Sequence, residues 1–177
     1  RMKRKFGVDV ELKEPKVPYK ETIKGTTKVQ GKYKKQSGGK GQYGHVVVEF
    51  EPGQRGSGFT FVDKVKGGAI PKKFIPFVAT GIREAMAGGA LLGFPLIDIK
   101  ATLYDGSFHE VDSSDISFKI AGAIALKEGA KKAKPVLLEP VMKMEIVTPE
   151  VFIGDILGDL NSRRTQILSV DTRGNAR

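Results

Sequence analysis

Cysteine is absent from the 177 residues. That excludes disulfides, thiolate metal sites and cysteine nucleophiles, and it fits a reducing cytoplasm, the location expected. No stretch approaches the roughly 20 consecutive apolar residues needed to cross a bilayer, so no membrane partner is expected. The opening RMKRKFGVDV is charged but lacks a long apolar run and a small-residue cleavage site, so it does not read as a signal peptide. Acidic residues are missing from Thr22 to Val48, although that stretch holds six lysines, Lys24, Lys28, Lys32, Lys34, Lys35 and Lys40.

What is present describes a folded, basic protein. Apolar residues make up 40% and charged residues 28%, enough to bury a core. Thirty Lys and Arg against 20 Asp and Glu leave a net charge of +10. A polyanionic partner is the leading reading of that surplus, and a lysine-rich, heat-adapted surface is the bland one. The acid-free stretch favours the first, because an ordinary solvated face mixes signs whereas a phosphate-facing stripe does not.

Periodicity divides the chain into three blocks. Arg1 to Phe6 reads as a helix broken at Gly7, and Val8, Val10 and Leu12 alternate with polar residues as in a strand. Pro15 and Pro18 punctuate a linker. These pieces are too short to bury a core and read as the tail of a preceding α/β domain. In the central block, Thr26 to Lys35 and His45 to Glu51 read as strands joined by the glycine-rich turn Ser37 to Gly44, with Val46, Val48 and Phe50 on one face. Phe59 to Val65 is a further strand, and Pro71 opens a helix to about Ala87, stopped by Gly88-Gly89. Pro95 to Tyr104 alternates, with Ile97, Ile99, Ala101 and Leu103 inward and Asp98, Lys100 and Thr102 outward. Asp105-Gly106 then signals a tight turn. Asp112 to Lys132 is predicted as a helix capped by Asp112, with Asp115 in its first turn, basic residues in its last turns and Pro135 beyond. From about Val136, Val141 to Val147 reads as a strand, Pro149 to Leu160 as a helix and Ile167 to Val170 as another strand, so a β-α-β unit is left unfinished at Arg177.

Two turns carry the chemistry. Gly39-Lys40-Gly41-Gln42-Tyr43-Gly44 matches G-x-G-x-x-G, but a strand and not a helix follows, so the dinucleotide reading fails. The Walker pattern fails too, since Gly41 follows Lys40 where Ser or Thr is needed. No nucleotide should bind or be hydrolysed here. What remains is a tip of four glycines with Ser37, Lys40 and Gln42. Glycines permit close approach to another backbone, Lys neutralises phosphate, and Gln can read base edges or a 2′-hydroxyl. The alternative is a plain surface loop. The second turn, Asp105 to Glu110, holds His109, and beyond it lie Asp112 and Asp115. One His followed by Glu has no zinc-ligand spacing, and the two aspartates belong to a helix start, so neither a metal site nor acid–base catalysis is expected. His109 is placed to stack on, or bond to, nucleic acid. Arg163, Arg164, Arg173 and Arg177 are further basic spots.

Longer ordered runs carry a family resemblance. VPYKETI (Val17 to Ile23), QSGGKGQYGHV (Gln36 to Val46), GFPLIDIKATLYDGSFHEVDSSDISFKIAG (Gly93 to Gly122), and LEPVMKMEIVTPE with GDILGDLNSRR (Leu138 to Arg164) resemble signatures of the bacterial elongation factor G family. The resemblance covers essentially the whole chain. It implies an α+β fold: the end of a ferredoxin-like third domain (1–22), a fourth domain (23–136), and the start of a ferredoxin-like fifth (137–177). The fourth would be a two-layer α/β domain with an uncommon left-handed βαβ crossover. It implies a parent GTPase whose GTP and Mg²⁺ site lies outside these residues, leaving this part without catalytic residues, cofactor or metal. The fourth domain mimics the anticodon arm of transfer RNA and inserts its tip beside the codon–anticodon duplex during translocation. Partners are then the ribosome, its small-subunit RNA and the tRNA–mRNA duplex, with no DNA, and the protein is expected as a monomer. Contact residues carried over are Ser37, Gly38, Gly39, Lys40, Gly41, Gln42, Ser107, Phe108, His109 and Glu110, supported by a basic face of Lys32, Lys34 and Lys35. In the eukaryotic and archaeal counterpart, elongation factor 2, the position matching His109 becomes diphthamide. A bacterial-type match implies an unmodified histidine.

Three alternatives stand beside this. A paralogous recycling, mitochondrial or ribosome-protection GTPase would share the architecture, though protection proteins depart from these tip patterns. An independent RNA-binding domain would not carry truncated flanking units. A small-molecule kinase with a related crossover would need its glycine loop before a helix.

Overall fold

The computed structural model describes residues 2–9, 11, 13, 16–36, 38, 39 and 41–171, with only the backbone of Met2 and Lys3. Two units separate, residues 1–140 and 141–177.

In the first unit, helix α1 (Met2–Phe6) ends where Gly7 takes φ 66°. The strand expected after it does not form among the described residues 8, 9, 11 and 13, which pair with no other strand; Val10 and Leu12 lie outside the described residues. Alternation supplies a face, but a ladder needs a partner.

Four strands make the main sheet: β2 (Thr27–Lys35), β3 (Gln42–Pro52), β4 (Phe59–Asp63) and β5 (Ile99–Ser107), in the spatial order β2-β3-β5-β4. β2 and β5 each run antiparallel to β3, while β4 and β5 are parallel. The link between those parallel strands is α2 (Ile75–Met86), led by a 3-10 turn (Lys72–Phe74) behind Pro71. Ile75, Val78, Ile82 and Met86 recur at helical spacing and are all buried. α3 (Asp115–Lys132) packs on α2 and across β2 and β3. Between helices and sheet lies one apolar core, in which Val46, Val48 and Phe50 of β3 meet Ala101, Leu103 and Phe118. The Phe74 and Phe118 rings stack at 4.8 Å. A short ladder closes the unit, β1 (Lys20–Ile23) against β6 (Pro135–Leu138).

Three expectations change here. Asp98 is buried, not outward, because it takes φ 58° and breaks the alternation; Leu96 then faces the core in place of Ile97. Its Oδ1 accepts the Gly56 and Gly58 N–H groups at 3.1 and 2.9 Å. Asp105-Gly106 is no turn: β5 continues to Ser107. A Cβ on Gly106 would sit 2.2 Å from the His45 carbonyl oxygen, so this glycine serves the close approach of two strands. Tyr104 is an extra residue there, since Val48 pairs with Leu103 but Val47 with Asp105. Finally, Ser114 and not Asp112 caps α3, in a capping box with Ser117.

The second unit contains a 3-10 turn (Glu150–Phe152) and helix α4 (Ile153–Ser162). The strands expected over Val141–Val147 and Ile167–Val170 do not form among the described residues. Neither has a partner strand, and Val141 and Met142 are 95% and 86% exposed. Arg173, Gly174, Asn175, Ala176 and Arg177 lie outside the described residues.

Candidate nucleic-acid interface

The β2–β3 hairpin loop and the β5–α3 loop meet at one end of the sheet. The hairpin ends in the Lys35–Gln42 pair, leaving residues 36–41 as its tip. Gly38 and Gly39 turn the chain at φ 50° and 151°; Ser37 and Lys40 lie outside the described residues. Opposite, residues 108–114 connect β5 to α3.

Hydrogen bonds tie the two loops together. The Gly41 N–H donates to Asp112 Oδ1 at 3.0 Å, and the Tyr43 N–H to the Asp112 carbonyl at 2.8 Å. The Ser113 hydroxyl donates to the Tyr43 carbonyl oxygen at 2.8 Å, and Ser117 Oγ lies 2.7 Å from the same oxygen. A Cβ on Gly41 would stand 2.8 Å from Asp112 Oδ2, so any other residue would have to push this carboxylate out of its place between the loops. Asp112, read from sequence as a helix cap, instead holds the two tips as one unit. The serine pair Ser113-Ser114, followed by Ser117, was the signal that the cap lay two residues later.

The side chains brought to this end are polar and exposed. Gln42 is exposed, and its Oε1 accepts the Tyr33 hydroxyl at 2.8 Å, which leaves the amide N–H₂ to donate outward. Tyr33 carried no signal of this role in the sequence. His109, 58% exposed at its side chain, accepts the Val111 and Asp112 N–H groups on Nδ1, each at 3.3 Å. Two donors on Nδ1 set the neutral ring as the Nε2–H tautomer, a second outward donor. Asp112 Oδ2 stands 3.6 Å from Nδ1. Phe108 and Val111 are exposed beside Glu110. Between the loops opens a cleft of about 290 Å³ lined by Lys34, Lys35, Gln42, Tyr43, His109 and Asp112.

Two residues fall elsewhere. Ser107 is the last residue of β5, its Oγ within 2.8 Å of the Tyr43 hydroxyl and 3.0 Å of His45 Nδ1, so it braces the strands behind the tip. Lys32 stands further down β2, its ammonium 5.9 Å from the Tyr43 ring centre. Burial and the nearby Lys32 charge push the His45 pKa below its ordinary value, against a smaller pull from Asp105. Among the described residues no three His, Cys, Asp or Glu come together as a metal site, and no helix is long and apolar enough to cross a membrane.

The arrangement offers amide and imidazole donors, two lysines and an exposed aromatic ring at one narrow end, which suits contacts to RNA edges, 2′-hydroxyls and phosphates. The family model described as "Elongation factor G, domain IV" matches residues 15–134, and "Elongation factor G C-terminus" matches 136–177. Elongation factor G of Aquifex pyrophilus is 54% identical over 175 residues, covering 99% of this chain. A crystal structure of a Thermus thermophilus protein superposes with a TM-score of 0.88 at 46% identity, over 98% of this chain. The chain spans 25% of the Aquifex relative and 26% of the Thermus one. With its domain IV and C-terminal signatures on an α/β domain of matching fold, the chain belongs to the elongation factor G family.

Proposed function

We propose that this chain is the ribosome-reaching part of a translocase, whose paired loops enter the decoding centre of the small subunit and follow the tRNA–mRNA duplex. The observation that carries it is the bonding of Gly41 and Tyr43 to Asp112 and Ser113, which makes one tip of two loops distant in sequence. Gln42 and His109 present N–H donors from that tip, with Phe108, Glu110 and the described glycines Gly38, Gly39 and Gly41 around them. Lys32, Lys34 and Lys35 supply the supporting basic face. The action is steric and electrostatic. The tip breaks contacts between the codon–anticodon helix and its surroundings and opposes backward slippage, with no covalent step. Removing two interactions of about 1 kcal/mol each changes a rate several-fold to roughly thirtyfold.

Domain assignments follow the same reading: 1–22 as the end of a third domain, 23–136 as the fourth and 137–177 as the start of a fifth, the outer two ferredoxin-like. The β4–α2–β5 crossover is assigned the left-handed sense. GTP and Mg²⁺ belong to the longer parent, because the glycine loop here leads into β3 and not into a helix N-terminus. The parent works as a monomer in the cytoplasm. A recycling or ribosome-protection role is the second reading, with no observation favouring it.

The test uses the full-length parent with Gln42→Ala and His109→Ala, singly and together, on pre-translocation ribosomes. Messenger RNA movement should slow several-fold in each single variant and up to roughly thirtyfold in the double one, while single-turnover GTP hydrolysis stays near wild type. Normal movement in the double variant would overturn the assignment of these two residues.

A further inference from the structure

The tip uses only part of the acid-free basic stretch. Strand alternation sends Lys28, Gln30, Lys32 and Lys34 of β2 to the side of the sheet away from the helices, since Val29 and Gly31 between them are buried. Tyr43, His45, Val47 and Glu49 of β3 share that side, as do Tyr104 of β5 and Lys64 just beyond β4. Among the described residues of the first unit no helix packs on this face, whose lysines are exposed and whose Tyr43, His45, Val47 and Glu49 are half-buried. Its cations gather on two rings: the Lys28 and Lys64 ammoniums stand 4.5 and 5.5 Å from the Tyr104 ring centre, and Lys32 stands 5.9 Å from that of Tyr43. The acids on the same side are occupied. Glu49 accepts the Tyr104 hydroxyl at 3.1 Å, Glu51 pairs with Lys100 at 2.9 Å, and Asp105 accepts the Gly106 N–H at 2.8 Å. Among the described residues, Lys28, Lys32, Lys34 and Lys64 have no carboxylate within ion-pair distance.

We propose that this open sheet face extends the basic support of the tip, through Lys28 and Lys64, into a surface that tracks the phosphate backbone of an RNA helix. Lys28 to Lys34 spans six residues of strand, about 20 Å at roughly 3.3 Å per residue, a line long enough to meet several successive phosphates. The Tyr104 ring holds the Lys28 and Lys64 ammoniums over its face and the Tyr43 ring that of Lys32, so three of the four cations are positioned before RNA arrives. Four ammonium groups dominate the row, and its one amide, Gln30, lies with Oε1 3.3 Å from His45 Nε2, so binding is led by phosphate contact and steeply salt-dependent.

The experiment measures binding of a fluorescein-labelled RNA hairpin to this chain by anisotropy across a salt series. Lys28→Gln with Lys64→Gln should lower the slope of log affinity against log salt by about 1.5, at roughly 0.7–0.9 for each phosphate no longer neutralised. Gln42→Ala with His109→Ala, which remove hydrogen-bond donors and not ammonium groups, should weaken binding by a similar factor at every salt concentration without changing the slope, so failure of the face and failure of the tip are read separately. Melting curves confirm that these exposed substitutions leave the fold in place. An unchanged slope in the lysine variant, absence of RNA binding at low salt, or displacement of RNA by polyglutamate of matched charge as readily as by unlabelled RNA would each overturn the proposal.

Discussion

Asp112 accepts the backbone N–H of Gly41 across 71 positions of sequence, and the two loops they belong to are one structure because of it. Removing the carboxylate with Asp112→Ala leaves the Gly41 N–H without its partner, at a cost of about 1–3 kcal/mol to the local closure. Exchange of the Gly41 amide in deuterium should then quicken tenfold or more, while amides of β5 near Leu103 keep their protection. Gly41→Ala should have the same signature, because its methyl group has no room beside Asp112. Unchanged exchange in both variants would mean that the loops are held by Tyr43 alone.

Glu21 holds another loop in the same manner. Its buried carboxylate accepts the N–H groups of Ala90, Leu91, Leu92 and Phe94 at 2.6 to 3.0 Å. Burial by itself would raise its pKa, but the four donors outweigh that and hold it below the ordinary 4.5. A depressed carboxylate stabilises the fold above its unfolded value, and that contribution is lost as pH falls through 4.5 toward the folded value. Glu21→Gln should cost about 3 kcal/mol near neutrality. It should also flatten the decline of the melting temperature below pH 4.5. A variant as acid-sensitive as the wild type would place that sensitivity elsewhere.

For His45 the sign is the same, although the charged form is the protonated one. Its folded pKa lies below 6.5, so the unfolded chain binds the extra proton first and stability falls as pH drops through 6.5. The imidazole signals should titrate below the free-histidine range in NMR. Lys32→Gln should bring them back toward it, because the nearby positive charge is one of the two causes. His45→Gln should remove the corresponding pH dependence of stability.

Tyr33 fixes one end of the Gln42 amide, and Tyr33→Phe should free it at a cost within about 1 kcal/mol of stability. Messenger RNA movement by the parent should then slow less than it does in Gln42→Ala, because the donor is present but no longer held. Equal slowing in the two variants would show that orientation is the whole of what Gln42 contributes.

The sequence displayed much of this domain and less of its tip. The alternation of Val46, Val48 and Phe50, and the helical spacing of Ile75, Val78 and Ile82, are single-period signals with one dominant buried face, and these elements appear as read. Misreadings arose where a residue leaves its period. Asp98 does so by adopting a left-handed backbone, Tyr104 by bulging, and Asp112 by spending its carboxylate on a loop 71 residues away. Asp98 and Tyr104 leave no local trace, because each depends on what stands opposite in space, whereas for Asp112 the serines that follow it were the trace. The two strands expected past Val141 had good β-composition, but composition supplies no partner.

The bulge at Tyr104 also acts on chain direction. In an uninterrupted ladder Asp105 would stand opposite Val46 and face the helices, while Gly106 would stand opposite His45 on the other side of the sheet, away from Ile70. The chain would then leave β5 rotated by half a strand period, carrying Phe108 and His109 away from Gly41. One surplus residue therefore sets the aim of the tip from several positions upstream. For this loop, an odd or even number of residues between Leu103 and Asp112 is as strict a requirement as any side chain within it.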